Sequence, residues 1–181
     1  MAKRSRLDAV HVLIATTGAL SPEPVAHLTK HLAGPDGRVS VTTVIEVPRS
    51  FLDTIRSEEW RPFDGEGQQW GNQEDAVIVR YVEERGRRII EPIVAALAAE
   101  GLTAEVRYLE GEDPAQVIID AADALEADVI VLGATRPIFD EASWESVTVR
   151  VMQDQRRPVL IVPAMRRPGD QEEEDEAVES Q

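Results

Sequence analysis

The residues best placed to do chemistry lie in one stretch, "ADVIVLGATRPIFDEASWES", residues 127–146. It starts as a buried strand ending in glycine, with Leu132 and then Gly133. In an open α/β sheet that end of a strand is where ligands bind. A loop that cradles phosphate wants further glycines, so that backbone amides can approach the anion. Here it carries Arg136, Pro137, Asp140, Glu141 and Glu145. Arg136 can grip a phosphate directly as a cation, whereas Pro137 removes an amide donor and holds Arg136 extended. Glu145 sets a like charge where a phosphate would approach, a cost on the order of 1 kcal/mol even when screened. Ser146 can donate to an anion, but Ser143 and Ser146 beside a helix start are also ordinary capping residues.

Other groupings carry less. His27 and His31 are four apart, which is metal spacing on a helix, yet no acid or third histidine evidently joins them, and a solvated helix face is the simpler reading. His11 heads a buried strand and reads as a packing or surface-edge residue. All three histidines precede residue 32 and no nucleophile-elbow motif exists, so no Ser-His-Asp arrangement is visible. The absence of cysteine excludes disulfides, thiolate metal sites and cysteine nucleophiles. "DGEGQQWG" (64–71) is glycine-rich but not in strand-to-helix register, and reads as a flexible turn.

The elements that would position the loop follow from periodicity. Residues 10–17 are an apolar run of the kind buried on both faces of a parallel sheet, and residues 38–48, closed by Pro48, 128–133 and 157–164 read as further strands. Residues 102–110 alternate and read as a strand with a wetter face or at an edge. Helices are expected after Ser21 with Pro22 at its first position, burying Val25, Leu28 and Leu32, and after Asp113 with Pro114. Residues 74–101 read as one long helix whose face holds Ala76, Val79, Val82, Ile89, Ile90, Ile93, Val94, Leu97 and Ala98, with Gly86 and Pro92 as places for a kink. Residues 142–155 mix two periods, and a parallel crossover favours helix, with Ser143 as its cap. The segment 49–74 is too long for an ordinary connection. It reads as a short helix near 50–59 or as a lid or interface loop, with Trp60 and Trp70 packing on the body or a partner.

The chain has 181 residues, 43% of them hydrophobic, enough for one domain with a core. A net charge of −15 argues against nucleic-acid binding. No apolar run approaches the roughly 20 residues of a membrane span. The start is too short in its apolar part for a secretory signal, and His11 interrupts it. Seven acids follow from Asp170 onward, so the tail is expected to be disordered.

Four stretches resemble a single-domain universal stress protein: "HVLIATTGA", "GEDPAQVIIDAADALEADVIVLGATR", "SVTVRVM" and "RRPVLIVP". The resemblance implies an α/β fold with a five-stranded parallel sheet of order 3-2-1-4-5 and helices on both faces. Its ATP-binding members carry an aspartate at the end of strand one and a glycine signature after strand four. Here the aspartate falls on Thr17, the first glycine on Gly133, the second on Arg136, the third on Glu145 and the hydroxyl on Ser146. The implied cleft comprises Thr16, Thr17, Gly18, Val44, Leu132, Gly133, Arg136, Ser146 and Val147, with no metal and no catalytic residue. The domain is expected over 9–165, with 49–74 as an insertion, 1–8 before it and an acidic tail over 166–181.

The expected function is that of a cytoplasmic homodimer in stress-linked regulation or protein interaction, without standard ATP binding and without catalysis. Three alternatives stay open: a nucleotide (ATP or AMP) held through Arg136 and Ser146, another small ligand in the same cleft, or an accessory domain that regulates a transporter or kinase. The uncharged core of the last strand, over 158–163, is a pairing template at a sheet edge. A twofold dimer through it is the simplest remedy, with the long loop as an alternative cover. Loop 49–74 and the tail are the expected surfaces for a protein partner.

Overall fold

A computed structural model describes residues 9–56, 67–134, 146–154 and 156–163. The expected N-terminal segment, most of the loop after strand four, including Arg136 and Ser143, and the acidic tail lie outside the described residues, as does the middle of the 49–74 insertion.

The strands are β1 (His11–Ala15), β2 (Arg38–Ile45), β3 (Ala104–Glu110), β4 (Val129–Ala134) and β5 (Val159–Pro163). The helices are α1 (Pro22–Ala33), α2 (Arg49–Arg56), α3 (Gly67–Ala99), α4 (Pro114–Ala124) and α5 (Val147–Asp154). All strand pairs are parallel, in the order β3-β2-β1-β4-β5. Between β1 and β4 the chain's direction of winding reverses, so the C-terminal ends of these two strands flank a crevice.

Alternation along each strand builds two cores. Val12, Ile14, Val39 and Val41 face α1 and α3 and pack with Val25, Ile90, Ile93 and Leu97. Leu13, Ala15, Ile130 and Leu132 face the other way and pack with Ile118, Ala122 and Val151. Each fully buried Val, Leu or Ile among them contributes about 1.5–3 kcal/mol. β1 is buried at every position, which is why it reads as an unbroken apolar run.

Several elements differ from the sequence expectation. α1 buries Val25, Ala26, Thr29 and Ala33, while Leu28 and Leu32 are only half-buried. Small residues let the helix lie close to the sheet, and Leu32 packs against the edge of that core. Ser21 holds the cap position of α1, but its side chain makes no capping bond; its carbonyl accepts from the Val25 N–H at 3.3 Å. Asp113 does cap α4, accepting from the Gln116 N–H at 3.3 Å. α5 starts later than expected and is capped by Ser146, whose Oγ accepts from the Val149 N–H at 3.3 Å.

α3 departs furthest. It begins at Gly67, so the second half of the glycine-rich "DGEGQQWG" is helix and not turn. Extending a helix that is already nucleated costs far less than starting one, and this outweighs the roughly 1 kcal/mol penalty of a glycine. The short helix expected within the insertion is α2, and its Phe51 stacks on Tyr81 of α3 at 4.5 Å between ring centroids. At 33 residues α3 is about 50 Å long, about twice the length of the longest strand. Its N-terminal part therefore runs past the sheet, and Ala76 and Val79, expected in the buried face, are exposed. Ala98 is exposed as well, since it is turned about 100° from Leu97. Helix α3 continues through both Gly86 and Pro92. Gly86 is explained by packing: a Cβ there would stand 2.4 Å from the Tyr108 ring.

Candidate functional site

At the C-terminal ends of β1, β2 and β4 lies a cleft of about 460 Å³. Thr16 and Thr17 reach it as the chain leaves β1, and Val44 from the end of β2. Leu132 and Gly133 come from β4, and Ser146 and Val147 from the start of α5. Seven of the nine residues expected in the cleft are thus brought together. Gly18 is not in the lining. It has a φ of +90°, a conformation natural to glycine, and turns the chain away from β1. Its N–H donates to Thr16 Oγ1 at 2.9 Å, which fixes that threonine below the mouth. Arg136 lies outside the described residues.

The lining also includes residues the sequence did not single out: Ala15, Ala19, Leu20, Thr43, Pro114, Ile118 and Thr148. Two had a readable signal. Pro114 follows an evident N-cap, and the parallel fold places helix starts at this end of the sheet. Thr148 is two residues beyond Ser146. Leu20 had none, because its role is a contact across 113 residues. Its Cδ2 would lie 3.1 Å from a Cβ on Gly133. The one glycine retained from the phosphate signature therefore has a packing reason of its own.

The backbone contributes as well. The Thr16 N–H donates to the Thr42 carbonyl at 3.0 Å, the last bond between β1 and β2. In a parallel strand the groups facing a given neighbour recur at every second residue. The next such pair belongs to Val44, and β1 has turned away by then. The Val44 N–H and carbonyl therefore lie on the β1 side of β2, where the cleft opens.

The electrostatics are mild. No described lining residue is charged. The nearest ion pair joins two helices at the border: Arg150 of α5 donates to both carboxylate oxygens of Asp113, at 2.9 and 2.7 Å. That guanidinium, together with the Gln116 N–H, holds the Asp113 carboxyl below the usual carboxylate range. Thr148 Oγ1 donates to the Gly133 carbonyl at 2.9 Å and ties α5 to β4. Helices α4 and α5 both begin at the cleft, so the positive ends of their dipoles point towards it.

The histidines lie elsewhere. His11 is buried at the other end of β1, with Nδ1 3.0 Å from the Leu125 carbonyl and Nε2 2.8 Å from Ser40 Oγ. His27 and His31 lie on the exposed side of α1 with ring centroids 4.6 Å apart and planes tilted by 57°; His27 Nδ1 is 3.5 Å from the carboxylate of Glu100, an acid the sequence did not place there. Among the described residues no group of three or more His, Cys, Asp or Glu could hold a metal.

A sequence model described as the universal stress protein family matches residues 10–163. The chain belongs to the universal stress protein family. Universal stress protein YxiE of Bacillus subtilis (strain 168) is 31% identical over 125 residues, covering 68% of each chain. Among solved structures, hypothetical protein MJ0577 superposes with a TM-score of 0.60 at 18% identity, over 88% of this chain and 99% of its own. A universal stress protein in complex with cAMP superposes with a TM-score of 0.51 at 19% identity, over 87% and 99%. At these identities the likeness to the two structures is one of fold. The sheet order expected from the family resemblance is the observed one. Among the described residues no helix is long and apolar enough to cross a membrane.

Proposed function

We propose that this universal stress protein is a regulatory, non-catalytic homodimer whose cleft takes a nucleoside-type ligand and does not hold ATP through a glycine loop. The observation that carries the reading is the character of the cleft. It has the volume of a small-molecule site, a ring of hydroxyls from Thr16, Thr17 and Ser146, and no charged side chain in its described lining. The Val44 N–H and carbonyl, on the β1 side of β2, suit the edge of a heterocyclic base, and the hydroxyls suit a sugar. A triphosphate needs several cations or a metal and a run of free amides. Two of the three signature glycines are Arg136 and Glu145, and Gly133 is accounted for by Leu20. The structure of a family member in complex with cAMP supports adenosine derivatives as the first probes.

Thermal unfolding with adenosine, AMP and ATP, each with and without magnesium, tests this. A ligand at 100 times its dissociation constant raises stability by about 2.7 kcal/mol. The expected result is a saturable shift with adenosine or AMP, and none with ATP beyond that of AMP. A magnesium-dependent shift that is largest with ATP would restore the alternative in which Arg136 and Ser146 replace the glycine loop. The absence of any shift would remove the ligand and leave a protein-interaction role.

A further inference from the structure

We infer that the ion pair between Arg150 of α5 and Asp113 of α4 is a brace that sets the width of the cleft, and that the affinity of an uncharged ligand there falls as ionic strength rises. Arg150 is then a positioning residue, acting through α5. The inference rests on the reading that the cleft takes a nucleoside-type ligand.

Neither residue of the pair belongs to the described lining, yet each stands next to residues that do. Asp113 immediately precedes Pro114, and Ile118 follows one turn later on α4. Arg150 is four residues after Ser146 and three after Val147, so it lies one turn behind both on α5. The starts of α4 and α5 thus supply two parts of the cleft wall, and the pair spans the gap between them.

α5 cannot hold its place alone. It has 8 residues, and a helix that short is marginal by itself, so contacts with neighbouring elements decide where it lies. Val149 and Val151 are buried and anchor its middle. Ser146, Val147 and Thr148, which line the cleft, are only half-buried. Among the described residues, two polar ties fix that end in different directions. Thr148 Oγ1 donates to the Gly133 carbonyl at 2.9 Å and holds α5 to β4. Arg150 donates through Nη1 to Asp113 Oδ1 at 2.9 Å and through Nη2 to Oδ2 at 2.7 Å, and holds α5 to α4. Two parallel bonds between a guanidinium and a carboxylate fix orientation as well as distance. Asp113 Oδ1 also accepts from the Gln116 N–H as the cap of α4, so one carboxylate joins the first turns of both helices.

The brace is open to water. The side chains of Arg150 and Asp113 are 41% and 46% exposed. Charges so placed are screened by salt, over a length that shrinks from about 10 Å at 0.1 M to about 3 Å at 1 M. Salt therefore loosens α5 from α4 at the cleft while the buried valines keep the helix on the body. A ligand that needs the wall preformed binds more weakly to a looser one.

Calorimetric titration of adenosine into the full chain tests this, as wild type, Arg150→Met, Arg150→Lys, Asp113→Asn and the Arg150→Met/Asp113→Asn double variant. Amide hydrogen exchange of the unliganded proteins accompanies it. Adenosine is uncharged, so its affinity reports the wall and not attraction to a cation. Asp113→Asn keeps a capping side chain on α4 and removes only the charge. Arg150→Met and Asp113→Asn should each weaken adenosine binding about threefold to fivefold, the scale of an exposed ion pair. The double variant should lose no more than either single one. Arg150→Lys should recover part of the loss. Raising sodium chloride from about 0.1 M to about 1 M should weaken binding to wild type more than to Arg150→Met, a comparison that removes any general effect of salt on adenosine. Exchange over residues 146–154 should be faster in Arg150→Met, with unchanged circular dichroism. Equal affinity and equal salt dependence in wild type and Arg150→Met overturn the inference, as do additive losses in the double variant or unchanged exchange over 146–154. If wild type does not bind adenosine, the nucleoside reading fails, and the exchange rates alone decide whether Arg150 positions α5.

Discussion

At the scale of single residues, His11 shows how a polar group is accommodated in a core. A carbonyl only accepts, so Nδ1 carries the proton and donates to Leu125, and Nε2 accepts from Ser40 Oγ. The neutral ring is satisfied on both sides. Burial pushes the pKa of His11 down, and Arg38 pushes the same way, against the Leu125 carbonyl and the carboxylates of Asp128 and Glu105. The folded pKa thus lies below the unfolded value. Above the unfolded value both states are neutral and the contribution to stability is complete. As pH falls through about 6.5 the unfolded chain takes up a proton and the folded chain does not, so stability is lost until the lowered folded pKa is reached. Denaturant midpoints measured from pH 8 to pH 5 should fall for wild type and fall less steeply for His11→Asn. Parallel slopes would remove His11 as the source. Neither Leu125 nor Ser40 could be named as its partner from the sequence, because one lies 114 residues away and the other 29.

At the scale of elements, Gly86 sets local propensity against packing. Alanine in a helix is favoured over glycine by about 1 kcal/mol, so a reading of α3 alone makes Gly86→Ala stabilising. The Tyr108 ring occupies the space of the new methyl group, with Cδ1 2.4 Å from it. Overpacking of this kind costs about 1–3 kcal/mol, and α3 should separate slightly from β3. Gly86→Ala is expected to lower the melting temperature, and the same change in a Tyr108→Ala background should raise it. A stabilising effect in both backgrounds would show that Tyr108 moves aside freely. The extent of α3 is the matching failure of the sequence reading. Its first turns contain Gly67 and Gly71 and no apolar periodicity in the sequence, so neither propensity nor periodicity marked them as helix.

At the scale of the whole molecule, the sheet has two edges of different character. β3 exposes Glu105 and Arg107, paired at 2.6 Å, and ends in exposed Glu110. β5 carries no charge, and Val159 to Val162 are half-buried within a single chain. The Ile130 N–H donates to the Pro158 carbonyl at 3.0 Å, so by alternation the Ile161 backbone groups face outward, away from β4. An unpaired apolar edge is a template for another strand, which supports the proposed twofold dimer. Light scattering after size exclusion should find a dimer for wild type and a monomer for Ile161→Lys, with unchanged circular dichroism. A monomeric wild type would sink the proposal.

The sequence by itself determined the parallel sheet, its order through the family resemblance, and the place of the cleft. Buried parallel strands are continuous apolar runs, and a switch point follows from strand order alone. The family resemblance also put Thr16, Thr17, Val44 and Ser146 in the implied cleft, and these four are among the residues that line the observed one. Only the tertiary structure decided how those ends meet. Leu20 against Gly133, Arg150 on Asp113, Tyr108 beside Gly86 and Ile89 under Gly18 are contacts between elements far apart in the chain. They depend on how closely helices and sheet approach one another, a property of side-chain volume in three dimensions that no periodicity along the chain records.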